Sequence, residues 1–231
     1  MVQVYTNGKF SDSAVLHKSV GAMAEKPYLY LSGGNTWTVC NPSVKQGEDQ
    51  ENGAQDIDGE CVEKDRIDFS KVAIINPADV NTPAKWSDLM SQVGTDKTYQ
   101  VVILTPGLYE VASTINVNAG AVLLGVGYPT LQFGNFNGKT PGISAASSKK
   151  VRVAGIVLQA DNNVGNVSAF VKFGDGKTDV PTSYEEAGVL NDVFLRTFGW
   201  ADKMLEINDP FAIVKEKNWK TLDRQNLIPE P

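Results

Sequence analysis

The sequence has 231 residues, which is enough for one domain or two small ones. Apolar residues make up 42% and charged residues 21%, a composition that argues against a disordered or fibrous chain. The net charge of -6 argues against a nucleic-acid partner, because no basic stripe is available to contact phosphates. No apolar run reaches the roughly 20 residues that span a bilayer.

Residues 1–100 are predicted to form an N-terminal cap region. Short aromatic and β-branched runs (VQVY, PYLYL and TWTV) predict edge strands at its start. Residues 45–66 are strongly acidic and carry almost no apolar side chain, which predicts a surface loop. Cys40 and Cys61 lie in polar, loop-like surroundings, so we predict a disulfide between them. The alternative is two unpaired, buried thiols.

One helix is predicted near residues 83–93. Thr82 and Pro83 stand in the order of an N-cap followed by the first helical position. Apolar side chains then recur at helical spacing, at Trp86, Leu89, Met90 and Val93. The helix is therefore expected to pack one apolar stripe against a larger body.

Residues 101–231 contain β-rich runs with no long helical pattern between them. The runs are VVILT (101–105), AVLLGV (121–126), VRVAGIVL (151–158), AFVKF (169–173), VLNDVFLR (189–196) and FAIV (211–214). Taken as one strand each, they recur about every 22 residues, which favours a solenoid in which each turn supplies one strand to each face. A β-sandwich, which also uses short strands separated by turns, is the alternative.

The stretch LTPGLYEV…INVN…AVLLGVGYPTL within residues 104–131 resembles secreted right-handed parallel β-helix proteins of the pectate-lyase-like superfamily. The resemblance is to a bacterial and fungal branch with TPGxY…VLGxGxxTL coils. It extends to EKPYLY (25–30), VRVAGIVLQA (151–160) and VLNDVFLRTFG (189–199). It implies a short right-handed parallel β-helix in which Gly125 lets successive coils approach closely. It also implies an extracellular, cell-surface or particle-bound protein. Because the first residues, MVQVYTNGKF, show no secretory signal, either the leader is absent from this numbering or the chain is cytosolic.

The resemblance implies that any chemistry uses carboxylates on one solvent-facing strand array. Glycoside hydrolysis requires two carboxyl groups roughly 5–10 Å apart. The catalytic candidates are Asp161, Asp192, Arg196 and Asp223, with Glu206 and Asp209 as further acids. The structural alternatives are an ion pair between Asp192 and Arg196 on one strand face, and a turn at Asp161. Trp219 is the candidate for carbohydrate binding.

A metal site is not predicted. The segment DIDGE places Asp56 and Asp58 at positions 3 and 5 of an EF-hand-like loop, with Asp65 at position 12. Ala54 occupies position 1, where a ligand is required, so an ordinary solvated loop is the main expectation. Loose binding of Ca²⁺ by the loop's oxygen atoms is the one cofactor alternative.

Two features of the sequence argue against an enzyme, although they do not exclude one. The single histidine, His17, lies in the N-terminal region, far along the sequence from the acidic candidates. About six coils are predicted, which leaves little room for an extended sugar-binding groove. We therefore expect a non-catalytic extracellular or particle-assembly β-helix module that can bind carbohydrate and stacks on other protein chains through its open C-terminal edge. The alternatives are the N-terminal part of a glucanase-like or pectate-lyase-like hydrolase or lyase, and a pseudoenzyme that retains only sugar binding.

Overall fold

A computed structural model describes residues 5–6, 9–10, 22–33, 35–46, 61–134, 136, 140–160, 167–196 and 201–216. The fold is mainly β, with parallel sheets and one α-helix. Within the described residues no helix is long and apolar enough to cross a membrane.

The N-terminal strands pair antiparallel. They are β1 (Tyr5–Thr6) with β2 (Lys9–Phe10), β3 (Ala22–Met23) with β6 (Lys45–Gln46), and a three-stranded sheet of β4 (Tyr28–Ser32), β5 (Thr36–Cys40) and β7 (Arg66–Asp68). Short 3₁₀ helices span Glu63–Asp65, Phe69–Lys71 and Tyr184–Glu186. The predicted edge strands PYLYL and TWTV therefore correspond to the hairpin β4–β5.

The rest of the described chain builds three parallel sheets. The first contains β8 (Val72–Ile75), β9 (Val101–Leu104), β12 (Val122–Gly125), β15 (Arg152–Ala154), the first half of β18 (Val189–Arg196) and β20 (Ile213–Glu216). The second contains β10 (Leu108–Val111), β13 (Thr130–Phe133), β16 (Val157–Ala160) and the second half of β18. The third contains β11 (Ile115–Asn116), β14 (Ile143–Ala145), β17 (Val167–Phe173) and β19 (Ala201–Ile207).

We call one passage of the chain through these sheets a rung. Because the strands of all three sheets pair in parallel, the β-sandwich alternative is wrong: sandwich strands pair antiparallel. The arrangement is parallel β-helix-like. Parallel pairing already begins at β8, inside the region 1–100 that the sequence assigns to the cap.

The rungs have unequal lengths. Residues that lie side by side in the first sheet are Val102, Leu123, Val153, Leu190 and Val214. They are separated by 21, 30, 37 and 24 residues, so the predicted recurrence of about 22 residues is wrong. The physical reason is that AFVKF (169–173) lies in β17 of the third sheet and does not belong to the same series as the other runs.

The first sheet is buried on both faces. Its inward residues, such as Leu123, join the main core between the three sheets. Its outward residues Val101 and Val122 pack against Val39 and Ile67 of the N-terminal strands. This double burial explains why VVIL and VLLG are continuous apolar runs, since a strand with one solvated face would alternate.

The predicted helix is confirmed as α1 (Pro83–Ser91), which ends two residues earlier than predicted. The Thr82 side chain accepts a hydrogen bond from the Lys85 backbone N–H, as an N-cap does. Trp86 and Met90 are buried in the main core. The helix packs against β11, the first strand of the third sheet, and so covers that end of the core.

The structure contains the predicted disulfide between Cys40 and Cys61, with the two Cα atoms 5.7 Å apart. It tethers the end of β5 to the segment that leads into β7. At the two ends of the predicted loop 45–66, residues 45–46 belong instead to β6, and residues 63–66 belong to the 3₁₀ helix Glu63–Asp65 and β7. Residues 47–60 lie outside the described residues.

Candidate functional site

The second sheet presents one face to the core and the other to solvent. In β10, β13 and β16 buried residues alternate with more exposed ones. Tyr109, Leu131 and Leu158 point inward and are buried. Since parallel strands in register stack equivalent residues directly above one another, the outward side chains form rows that run across the rungs.

One of these rows is polar. Its members are Glu110, Gln132, Gln159 and Arg196, each paired in register with the next. Gln159 Nε2 donates to Gln132 Oε1 at 3.2 Å, and Arg196 Nη1 donates to Gln159 Oε1 at 3.3 Å. We call these four residues the polar row. Amide, guanidinium and carboxylate groups together supply the donors and acceptors that bind hydroxyl groups.

Beside the polar row runs a second outward row, formed by Leu108, Thr130, Val157 and Phe194. At its edge the Tyr128 ring, 42% exposed, contacts the Phe194 ring edge-to-face with the centroids 5.0 Å apart. Lys26 Nζ lies 5.2 Å from the centroid of the Tyr128 ring. This side of the sheet therefore combines apolar and aromatic surface with a line of hydrogen-bonding groups, a combination typical of ligand sites.

Asp192 lies at a corner and not within a regular strand. β18 leaves the first sheet after Asn191 and joins the second sheet at Phe194. Asp192 adopts the left-handed conformation (φ 49°) between them, which Asp tolerates better than most residues. Its carboxylate is 3.7 Å from Lys26 Nζ, whereas Arg196 bonds Gln159. The structure therefore does not pair Asp192 with Arg196: Asp192 forms an ion pair with Lys26, and Arg196 donates a hydrogen bond to Gln159.

The described carboxylates of this surface are far apart. Glu110 and Asp192 belong to rungs three strand spacings apart, which is about 14 Å at roughly 4.8 Å per spacing. A glycosidase pair requires roughly 5–10 Å. The two further acids make structural contacts: Glu206 pairs with Lys172 at 2.8 Å, and buried Asp209 accepts from the Ser148 hydroxyl at 2.9 Å.

Several sequence candidates lie outside the described residues: Asp161, Trp219, Asp223, Asp56 and Asp58. Asp65 is described, and its carboxylate accepts hydrogen bonds from the backbone and hydroxyl of Ser43. No group of three or more potential metal ligands occurs in the described part of the chain.

Three members of the polar row, Glu110, Gln132 and Gln159, were not identified from the sequence. The sequence does contain a signal for them. The tetrapeptides LYEV (108–111), TLQF (130–133) and VLQA (157–160) each have a polar residue in third place, between two apolar residues. The tripeptide FLR (194–196) of β18 likewise has its polar residue in third place. Irregular rung lengths hide this repeat, because the four segments are separated by 22, 27 and 37 residues.

The family model described as the LAM55 pectate lyase-like domain matches residues 80–222, which is more than half of the chain. This chain belongs to the LAM55 pectate lyase-like family. The match begins just before α1 and includes every rung that contributes to the polar row. The resemblance to pectate-lyase-like proteins is therefore correct at the level of the family.

Two solved structures are similar to this LAM55 pectate lyase-like chain, and both are of sacteLam55A from Streptomyces sp. SirexAA-E. The first is 23% identical, with a TM-score of 0.59, and the match covers 84% of this chain and 33% of that protein. The second, a variant in complex with glucose, is 23% identical with a TM-score of 0.60, and the match covers 85% of this chain and 33% of that protein. This chain thus spans about a third of the length of that protein. A comparison with curated proteins found no match.

Proposed function

We propose that this chain is a non-catalytic carbohydrate-binding module with a right-handed parallel β-helix, and that the polar row binds a glucose-containing polysaccharide. The polar row carries the proposal. Its four side chains repeat at the strand spacing of roughly 4.8 Å and stand beside apolar and aromatic surface. The glucose complex of sacteLam55A supports glucose as the sugar unit.

The geometry of the polar row suits an extended, neutral ligand. Its central members, Gln132 and Gln159, are uncharged amides that both donate and accept hydrogen bonds, as sugar hydroxyls do. The bonds among Gln132, Gln159 and Arg196 hold these side chains in one line before a ligand arrives. Preorganisation of this kind lowers the entropy lost on binding.

The test is to measure binding by isothermal titration calorimetry against soluble glucose polymers of several linkages, with polygalacturonate as the acidic comparison. We expect binding to a glucose polymer, unchanged by EDTA because the proposal requires no metal. Gln159→Ala removes the central link of the polar row and should weaken binding about tenfold. Gln92→Ala, at an exposed position after α1, is the matched control and should bind like the wild type.

Two results would contradict the proposal. Preference for polygalacturonate over every glucose polymer would remove glucose as the unit recognised. Equal affinities of the Gln159→Ala and Gln92→Ala variants would remove the polar row as the site.

A second candidate function is that of the N-terminal part of a polysaccharide hydrolase or lyase. It is favoured by one observation, that the model of the LAM55 pectate lyase-like domain matches residues 80–222. The rungs of Glu110 and Asp192 lie three strand spacings apart, about 14 Å, which speaks against catalysis by those two groups. Release of new reducing or unsaturated ends by the purified chain, abolished in Asp192→Asn, would establish the enzymatic function instead.

We also propose that the chain is extracellular and packs on another protein chain through its C-terminal strands. β19 pairs with β17 and β20 with β18, and on their other sides no described strand pairs with them. Unpaired strand edges favour association with further β structure. Light scattering of the purified chain should show self-association; a soluble monomer at high concentration would argue against this.

A further inference from the structure

A positive charge is buried between the first sheet and the N-terminal strands. Arg152, the first residue of β15, is 3% exposed, and Nη1 donates to the Ala187 carbonyl oxygen at 3.1 Å. Its Nε is buried and has no hydrogen-bond partner among the described residues. Burial lowers the pKa of Arg152 to about 10, so the guanidinium is still protonated at neutral pH. A buried charge requires a compensating partner.

No described carboxylate fills that role by direct contact. Asp65 is the acid whose charge reaches Arg152, where it favours the protonated form. The ion pairs within 4.0 Å in the described part of the chain nevertheless do not include Arg152. The Asp65 carboxylate accepts instead from the Ser43 backbone N–H at 3.1 Å and from the Ser43 hydroxyl.

Two more buried polar atoms without a hydrogen-bond partner occur among the described residues, and both are amide oxygens, which accept hydrogen bonds and do not themselves bind an anion. Asn191 Oδ1 is buried without a hydrogen-bond partner, and Asn191 lies on the outward face of the strand next to β15. Asn41 Oδ1 is also buried without a partner, and the Asn41 backbone N–H donates to the Asp65 carbonyl oxygen at 2.8 Å. The amide of Asn41 can turn over, which would present its NH₂ group in place of the oxygen.

We propose that a small monovalent anion, with chloride as the probe, binds in this layer and accepts a hydrogen bond from Arg152 Nε. A water molecule could satisfy Nε, but the positive charge would still have no counter-charge in direct contact among the described residues. An anion does both. The site is closed to large anions, since Arg152 and Asn191 are almost completely buried.

The test compares thermal unfolding of the full chain in sodium chloride and in sodium gluconate at equal ionic strength, because gluconate is too large to enter. With chloride at about ten times its dissociation constant, the unfolding midpoint should rise by about 3 to 6 °C. Arg152→Met, which replaces the buried ion by an apolar chain of similar length, should lose this difference. Arg196→Met, which removes an exposed arginine of the second sheet, should keep it.

The variant Asp65→Asn tests how the charge of the neighbouring acid affects binding of the anion. Removing a nearby negative charge should tighten chloride binding several-fold, so the chloride response of this variant should saturate at a lower concentration. Absence of a chloride-specific shift in the wild type, or its persistence in Arg152→Met, would overturn the proposal.

A second measurement does not depend on how Arg152→Met folds. Crystals of the wild-type chain grown in bromide should show an anomalous peak within hydrogen-bonding distance of Arg152 Nε. A well-ordered water molecule at that position with no anomalous signal would also overturn the proposal.

Discussion

Substitution of Gly125 by Ala tests whether close contact between rungs limits the stability of the fold. Gly125 is the last residue of β12, and a methyl group built there would lie 2.8 Å from Pro129 Cδ and 2.9 Å from the carbonyl carbon of Gly155, a residue of the next rung. Its φ lies outside the left-handed region, so alanine is conformationally acceptable and only the clash counts.

The expected loss follows from the identity of the contacting atoms. They belong to a neighbouring backbone and a proline ring, neither of which can rotate away as a long side chain can. Overpacking of a close-packed site costs about 1–3 kcal/mol, and rigid neighbours place this site at the upper end, about 3 kcal/mol. For a chain of this size that corresponds to a fall in the unfolding midpoint of about 6 to 12 °C.

Differential scanning calorimetry measures the effect, and Gly176→Ala provides the control. Gly176 has φ +73° and no atom within 4 Å of an added methyl group, so alanine there introduces backbone strain without a clash. That strain costs about 1 kcal/mol, or about 2 to 4 °C. A midpoint for Gly125→Ala equal to or above that of Gly176→Ala would refute the claim that rung contact, more than backbone conformation, requires glycine.

Three further perturbations have defined outcomes. Cys40→Ser removes the disulfide, whose cysteines are 21 residues apart, and should lower the free energy of unfolding in urea by about 3 kcal/mol. Wild-type protein unfolded in the presence of a reductant should show the same loss. Thr82→Ala removes the N-cap of α1 and should cost about 1 kcal/mol in the same assay. The pKa of Asp175 is lowered to about 2 by hydrogen bonds from the hydroxyl and backbone N–H of Thr178. Thr178→Val should raise this pKa towards about 3.9 in an NMR titration.

The Asp175 contact also has a defined pH dependence. Because its pKa in the folded chain is below that of the unfolded chain, the contact contributes stability above about pH 4, and that contribution is lost as the pH falls through about 2. The free energies of unfolding of the wild type and of Thr178→Val should therefore differ above pH 4 and become equal near pH 2. Parallel curves over the whole range would contradict this assignment.

Local features of the fold could be predicted from the sequence because neighbouring residues determine them. Thr82 and Pro83 mark the start of α1, and the spacing of Trp86 and Met90 identifies its buried stripe. The prediction that Gly125 lets two segments approach closely is confirmed, since a methyl group there would lie 2.9 Å from the Gly155 carbonyl carbon. These properties depend on capping, periodicity and the absence of a Cβ atom, all of which are visible in a short stretch of sequence.

Register between distant strands was decided by the tertiary structure. Gln132, Gln159 and Arg196 stand in one row only because the rungs absorb loops of different length between strands that pair in register. Asp192 could be read as part of a strand, yet the chain turns there from one sheet to the next. A run of letters such as VLNDVFLR predicts extended backbone. Only packing of the rungs against one another fixes where that backbone turns, and so which polar side chains share a surface.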